Sequence, residues 1–343
     1  MVRKFSALAV LATALFLTGG CALLGLRHCP ITHELAARIK LDQWGDSMPK
    51  QVRISPDGRY AVVPCMGSNS IAIFATDGFR HLKSIKAGAK MPVECTLSGD
   101  GRLAYVQCMQ PGIIVELDLA KREVTRRSTP HGEWPKIVEL SPDCRTFWVS
   151  DWLGNVVIVL SADTLLPLYQ IKVDRTPRGI GFLRTRPRAY VANFHEHGAG
   201  KGTVTEIDTD THKVVRTFGN LRGAPRHVSV SPDDHWVYVT DMWRGLVHVI
   251  DTRKNAVVAR IRVGRNPKTS DLTSNGRFLF VADFNDEKAP GSVSVVDTMD
   301  RRVVATLPAG IGTTGLDVSP DDRFLWVTNI DEDTIQVHRI TTE

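Results

Sequence analysis

Residues 55–63 read SPDGRYAVV, residues 141–149 SPDCRTFWV and residues 319–327 SPDDRFLWV. A fourth copy, SPDDHWVYV, begins at Ser231, and weaker ones begin at Ser98 (SGDGRLAYV), Thr273 (TSNGRFLFV) and Leu183 (LRTRPRAYV). The seven starts are separated by 43, 43, 42, 48, 42 and 46 residues. A second marker keeps the same period. Pro49, Pro92, Pro135, Pro177, Pro225 and Pro267 each stand six residues before a start, and Thr313 takes that place in the seventh unit. Self-similarity at such a period marks a repeat architecture.

Each unit reads as four short strands. The first follows the proline, as in PRHVSV, and a Ser-Pro-Asp-Gly turn reverses it, which suits the turn preferences of Pro, Asp and Gly. A β-branched and aromatic run such as VYVTD is the second, LVHVID the third and AVVARIRV the fourth. Four strands in a unit of this length form one blade of a propeller, so the expected fold is all-β, a seven-bladed β-propeller of four-stranded blades. The seventh unit stops after its third strand, TIQVHRI, while HELAARIKLD at 33–42 matches NAVVARIRVG at 255–264. Residues 34–41 are therefore expected to close the last blade as its outer strand, leaving few open sheet edges.

The first twenty residues differ from the rest. Arg3 and Lys4 precede an apolar run from Phe5 to Leu17, followed by LTGGC. This pattern is that of a signal peptide over 1–20 with a lipobox-like end, which makes Cys21 the expected lipidation site. Residues 21–33 then form a tether and 34–343 a single propeller. The protein is expected on the periplasmic face of a bacterial membrane, the outer one in the first instance. The alternative is cleavage after Ala22 and a soluble periplasmic protein. With Cys21 lipidated, Cys29, Cys65, Cys95, Cys108 and Cys144 remain, an odd number in a compartment where disulfides persist. The 343 residues are 43% hydrophobic and 23% charged, with net charge +6. That composition supplies a large core and permits anionic partners without calling for nucleic acid.

Ten residues into each unit, the second strands end in VVPC, YVQC, WVSD, YVAN, YVTD, FVAD and WVTN. With the SPDG turns and VIDT ends, the chain resembles the YVTN-repeat, YncE-like family of seven-bladed β-propellers over residues 34–343. The resemblance implies the fold and leaves function open, because such propellers host binding proteins, lyases, lactonases and redox subunits.

The proline loops and the ends of the second strands share one face. Simple hairpin pairing would set the residue after each proline opposite the last residue of the tetrapeptide: Lys136 opposite Asp151, Arg226 opposite Asp241, Lys268 opposite Asp283, Arg178 opposite Asn193 and Lys50 opposite Cys65. Two readings follow. The basic residues either form ion pairs that align each hairpin or make a cationic funnel for an anionic ligand. Trp134 and Trp152 stand on the same face with Trp44, Met66, Met109, Phe194, Met242, Trp243 and Phe284. Two units carry longer loops there, at 193–202 and 283–291. In the first, His195 and His197 could present both imidazoles to a metal, and Cys65 and Cys108 with Met66 and Met109 could present soft ligands. Cys95 and Cys108 are a candidate disulfide within one blade. No hydrolase, nucleotide-loop, haem-attachment or zinc-protease motif is present, so no cofactor is implied.

These residues point to an exported, lipid-anchored, monomeric propeller that binds a protein partner or a small anionic ligand at its channel mouth without catalysis. The alternative is an enzyme or redox-associated subunit with a metal or cofactor at the mouth. Single-stranded nucleic-acid binding ranks lower, since bases and aromatics do not alternate along a track.

Overall fold

The computed structural model describes residues 31–195, 201–219, 221, 223–286 and 288–342. They form seven antiparallel four-stranded sheets arranged as the blades of a propeller. The innermost strands of blades 1 to 7 are Arg53–Ile54, Lys90–Leu97, Pro135–Leu140, Pro177–Phe182, Pro225–Val230, Pro267–Leu272 and Thr313–Val318. Each innermost strand packs beside those of its neighbours, so the seven surround one channel. At Gly179 a β-carbon would stand 2.7 Å from the His227 Cα, so only glycine lets blade 4 approach blade 5 this closely.

The turn sequence holds the inner hairpin by side-chain hydrogen bonds. The Ser55 hydroxyl donates to Asp57 at 2.6 Å and accepts from the Tyr60 N–H at 2.9 Å, while Asp57 also accepts from the Arg59 N–H. The same bonds recur at Ser141–Asp143, Ser231–Asp233 and Ser319–Asp321. The fourth turn residue is left-handed, with φ 72° at Gly58, 59° at Cys144, 59° at Asp234 and 57° at Asp322. Where it is aspartate it also ties blades together. Asp234 accepts from the Arg184 and Thr185 N–H groups of blade 4, and Asp322 from the Ser274 N–H of blade 6.

The core is a series of layers between blades. One joins Tyr190, Ala192 and Val204 of blade 4 to Val228, Val237 and Val239 of blade 5, and the other interfaces repeat this pattern. Ring closure follows the expected route, with the first described strand pairing antiparallel to Thr334–Thr342 as the fourth strand of blade 7. This strand runs from Ile31 to Lys40, three residues earlier than the repeat alignment indicates, because Ile31, Thr32 and His33 pair with Thr342, Thr341 and Ile340. The proposed signal peptide, Cys21 and Cys29 lie outside the described residues.

Candidate functional site

The expected pairing of basic residue with aspartate is off by one position. Pro135 lies opposite Asp151, Pro225 opposite Asp241, Pro267 opposite Asp283 and Pro177 opposite Asn193. Pro49 likewise faces Cys65. A β-bulge follows each proline, so an extra residue is left out of the ladder. Lys136, Arg226 and Lys268 fall within those bulges, and the hairpin ion pairs anticipated for them are replaced by a different arrangement.

Asp151, Asp241 and Asp283 are buried and turned into their blades. Asp151 accepts from the Glu133 and Trp134 N–H groups at 2.9 and 2.7 Å, and Asp241 accepts from the Ala224 N–H at 2.9 Å. Asp283 accepts from the Ser294 N–H and hydroxyl, and burial raises its carboxyl to about 7. These aspartates fix the loop that leads into each innermost strand, and they do not line the channel mouth.

The five basic residues do line it. Lys50, Lys136, Arg178, Arg226 and Lys268 converge on one cavity of about 390 Å³, with Trp134 and Trp152 in its wall. Glu94 is the one carboxylate among the described residues that line it. Aromatic faces stand against the cations. The Lys136 Nζ lies 4.4 Å from the Trp152 ring centroid, the Arg178 guanidinium 4.7 Å from Trp152 and 4.6 Å from Phe194, and the Lys268 Nζ 4.0 Å from Phe284. The Lys50 ammonium donates to the Thr314 hydroxyl at 3.1 Å. Met66 and Met109 also line the cavity, whereas Trp44 stacks on His81 of the outermost strand of blade 1.

Crowding of like charge shows in the protonation of these groups. Burial, then Arg226, Lys50 and Arg178, push Lys268 down to about 5. Burial and the neighbouring Arg226, Arg178 and Lys136 likewise hold Lys50 well below the usual lysine range. An anion entering the cavity would offset the repulsion among these cations and so favour the charged form of both amines.

Below the mouth the sign reverses. Arg53 of blade 1 reaches Glu139 of blade 3 at 2.8 Å, Asp317 of blade 7 at 3.5 Å and Glu94 of blade 2 at 3.8 Å. Asp317 also accepts from the Ile54 N–H, and Asp271 from the Val318 N–H. Burial raises Glu94 and pushes Glu139 up to about 7. The channel thus carries a cationic mouth above an acid-rich layer that one arginine ties together.

The repeat frame also marks cavity and channel residues beyond the basic set. Because of the bulge, the second residue after the marker also faces the cavity: Glu94, Ile137, His227 and Thr269. The fourth residue after it supplies Arg53, Glu139, Asp271 and Asp317 of the lower layer.

The proposed metal and disulfide residues are placed as follows. The His195 Nε2 lies 2.9 Å from an Asp174 carboxylate oxygen, and His197 lies outside the described residues. Among the described residues no three His, Cys, Asp or Glu side chains are grouped to hold a metal. Cys65, Cys95 and Cys108 are buried thiols. Cys65 packs in the layer between blades 7 and 1 and Cys108 in that between blades 1 and 2, so the two do not share a site. Cys95 pairs with Val106, diagonal to Cys108, and its thiol faces the Val62 carbonyl. Burial raises Cys108 to about 12, which keeps it protonated.

No family model matches the chain. It is 26% identical over 155 residues to Antigen Lp49 of Leptospira interrogans, covering 44% of this chain and 33% of that protein. It is 34% identical over 100 residues to the seven-bladed beta-propeller protein Rv1057 of Mycobacterium tuberculosis, covering 28% of this chain and 24% of that one. The matched region thus spans a third or less of either relative. A chain of Kuenenia stuttgartiensis hydrazine synthase superposes with TM-score 0.79 at 18% identity, covering 87% of this chain and 97% of that one, a likeness of fold alone.

Proposed function

We propose that this chain is an exported, lipid-anchored propeller of the YVTN-repeat kind, and that it binds a small anionic ligand at its channel mouth without transforming it. The observation that carries this reading is the convergence of Lys50, Lys136, Arg178, Arg226 and Lys268 on one cavity with a single lining carboxylate among the described residues. Natural proteins leave like charges crowded at a cost in stability, and an anionic occupant would offset that cost. A small ligand fits better than a protein partner because the charges are recessed: Lys268 is only 9% exposed. Export and anchoring rest on the basic head, the apolar run and Cys21.

Isothermal titration of the mature protein with sulfate and with inorganic phosphate tests the site. Saturable binding that is abolished in the K50M/R178M/R226M triple variant supports it, and unchanged binding in that variant refutes it. Mass spectrometry of the membrane fraction tests the anchor, through a diacylglycerol adduct on Cys21.

A second reading, in which the mouth carries chemistry, is favoured by the recessed Lys268 amine, which burial and the neighbouring cations push down to about 5. Such an amine attacks an aldehyde or ketone carbonyl, whose oxygen leaves as water to give an imine. Borohydride reduction in the presence of a 2-oxo acid would then leave a stable mass increment on Lys268. Its absence excludes this chemistry at that residue.

A further inference from the structure

The walls of the mouth are unlike on its two sides. Met91, Val93 and Met109 of blade 2 line the cavity together with Met66 of blade 1 and Trp134 of blade 3. Arg226 and Lys268 come from blades 5 and 6. In a ring of seven, the position opposite blade 2 falls between blades 5 and 6. The apolar wall and the pair of cations therefore face each other across the channel. Lys50 of blade 1 and Lys136 of blade 3 flank the apolar wall, Glu94 of blade 2 lies within it, and Arg178 of blade 4 stands between Lys136 and Arg226. Among the described residues, Arg226 makes no ion pair and no aromatic contact, although it lies in the same crowded cation set.

This division extends the anion-site reading, on which it rests, to the shape of the ligand. We infer that the mouth takes an amphiphilic organic dianion: a phosphate ester or dicarboxylate whose charged end meets Arg226 and Lys268 while an apolar body packs on the Met91, Val93 and Met109 wall.

Each part of the wall suits its end of such a molecule. Two cations from adjacent blades, reinforced by Arg178, match two negative charges better than one, since a monoanion would leave like charges uncompensated. Methionine is flexible and polarizable, so Met66, Met91 and Met109 can mould to an aliphatic or aromatic body, and the Trp134 ring adds a flat face. A simple inorganic anion would fill the charged end and leave the apolar wall wet. A wholly apolar molecule would leave the cations unpaired.

Titration calorimetry at pH 7.5 with two matched pairs tests the inference: phenyl phosphate against inorganic phosphate, and phenylmalonate against malonate. Burial of a phenyl group on the methionine wall is expected to tighten binding on the order of tenfold or more in at least one pair. The M66Q/M91Q variant is expected to lose that gain, with circular dichroism confirming its fold. Gain in the phosphate pair alone identifies a phosphate ester, and gain in the dicarboxylate pair alone a dicarboxylate. Equal affinity within both pairs overturns the inference and leaves the anion site standing. Failure of all four anions to bind overturns both.

Discussion

The His248 Nε2–H donates to the Asp241 carboxylate at 2.9 Å, and both side chains are sealed from solvent within blade 5. Asp241 spends its other oxygen on the Ala224 N–H, at the entrance to the innermost strand that presents Arg226. The last residue of the YVTD tetrapeptide therefore sets the backbone from which a channel cation projects. Asp241→Ala leaves a buried imidazole and a buried N–H without their acceptor. A loss of about 3 kcal/mol in urea unfolding is expected, with Asp241→Asn retaining part of it. Sulfate affinity of the folded Asp241→Asn protein measures how far that backbone support, rather than any direct contact, reaches the site.

Anion binding should take up protons. Burial and the cations around it push the amine of Lys268 down to about 5. A bound anion raises that value, so between about pH 6 and 8 the complex holds protons that the free protein lacks. Affinity for sulfate, which does not itself titrate there, is expected to rise as pH falls from 8 to 6. Calorimetry in two buffers of different ionisation enthalpy reads the proton uptake directly. Lys268→Met should reduce that uptake, and a pH-independent affinity in the parent protein would contradict the mechanism.

How much of this was legible in the sequence depends on the bulge after each proline. The period, the turn serines and the missing fourth strand of blade 7 are repeated or complementary patterns, so they survive without knowledge of register. The identity of the five mouth cations survives too, since residues next to a channel-face loop reach the mouth under either register. Their partners do not. A single extra residue moves Asp151, Asp241 and Asp283 from opposite the cations to opposite the prolines, and turns a set of surface ion pairs into internal loop supports. Glu94 and the Arg53 cluster were hidden for another reason: their shared channel depends on contacts between blades that are far apart in sequence.

The acid-rich layer makes stability fall with rising pH over part of the range. Burial holds Glu139 at about 7, above the usual glutamate value, so between about pH 4.5 and 7 the folded state keeps a proton that the unfolded state has lost. That protonated advantage is lost as pH rises through 7. Glu139→Gln keeps an oxygen for Arg53 and removes the titration. The variant is expected to match the parent near pH 4 and to exceed it by about 1–2 kcal/mol at pH 8. Guanidinium unfolding at the two pH values checks the sign. A larger advantage at pH 4 would mean that Glu139 is held ionised by Arg53 instead.

Ring closure gives the largest expected effect. Ile31 and Ile39 of the first described strand are buried, as is Leu41 just beyond it, and the strand covers the edge of Thr334–Thr342. Burying three such aliphatic side chains is worth about 5 kcal/mol, comparable with the whole stability of many domains. Deleting residues through Leu41 also uncovers a row of unpaired N–H and C=O groups on the last blade, which invites edge-to-edge association. The deleted protein should lose its cooperative thermal transition or self-associate in analytical ultracentrifugation. A peptide of residues 31–41 added in trans should restore the transition by occupying that edge as the fourth strand. A deleted protein that stays monomeric with an unchanged melting temperature would show that the other six blades hold the ring closed without it.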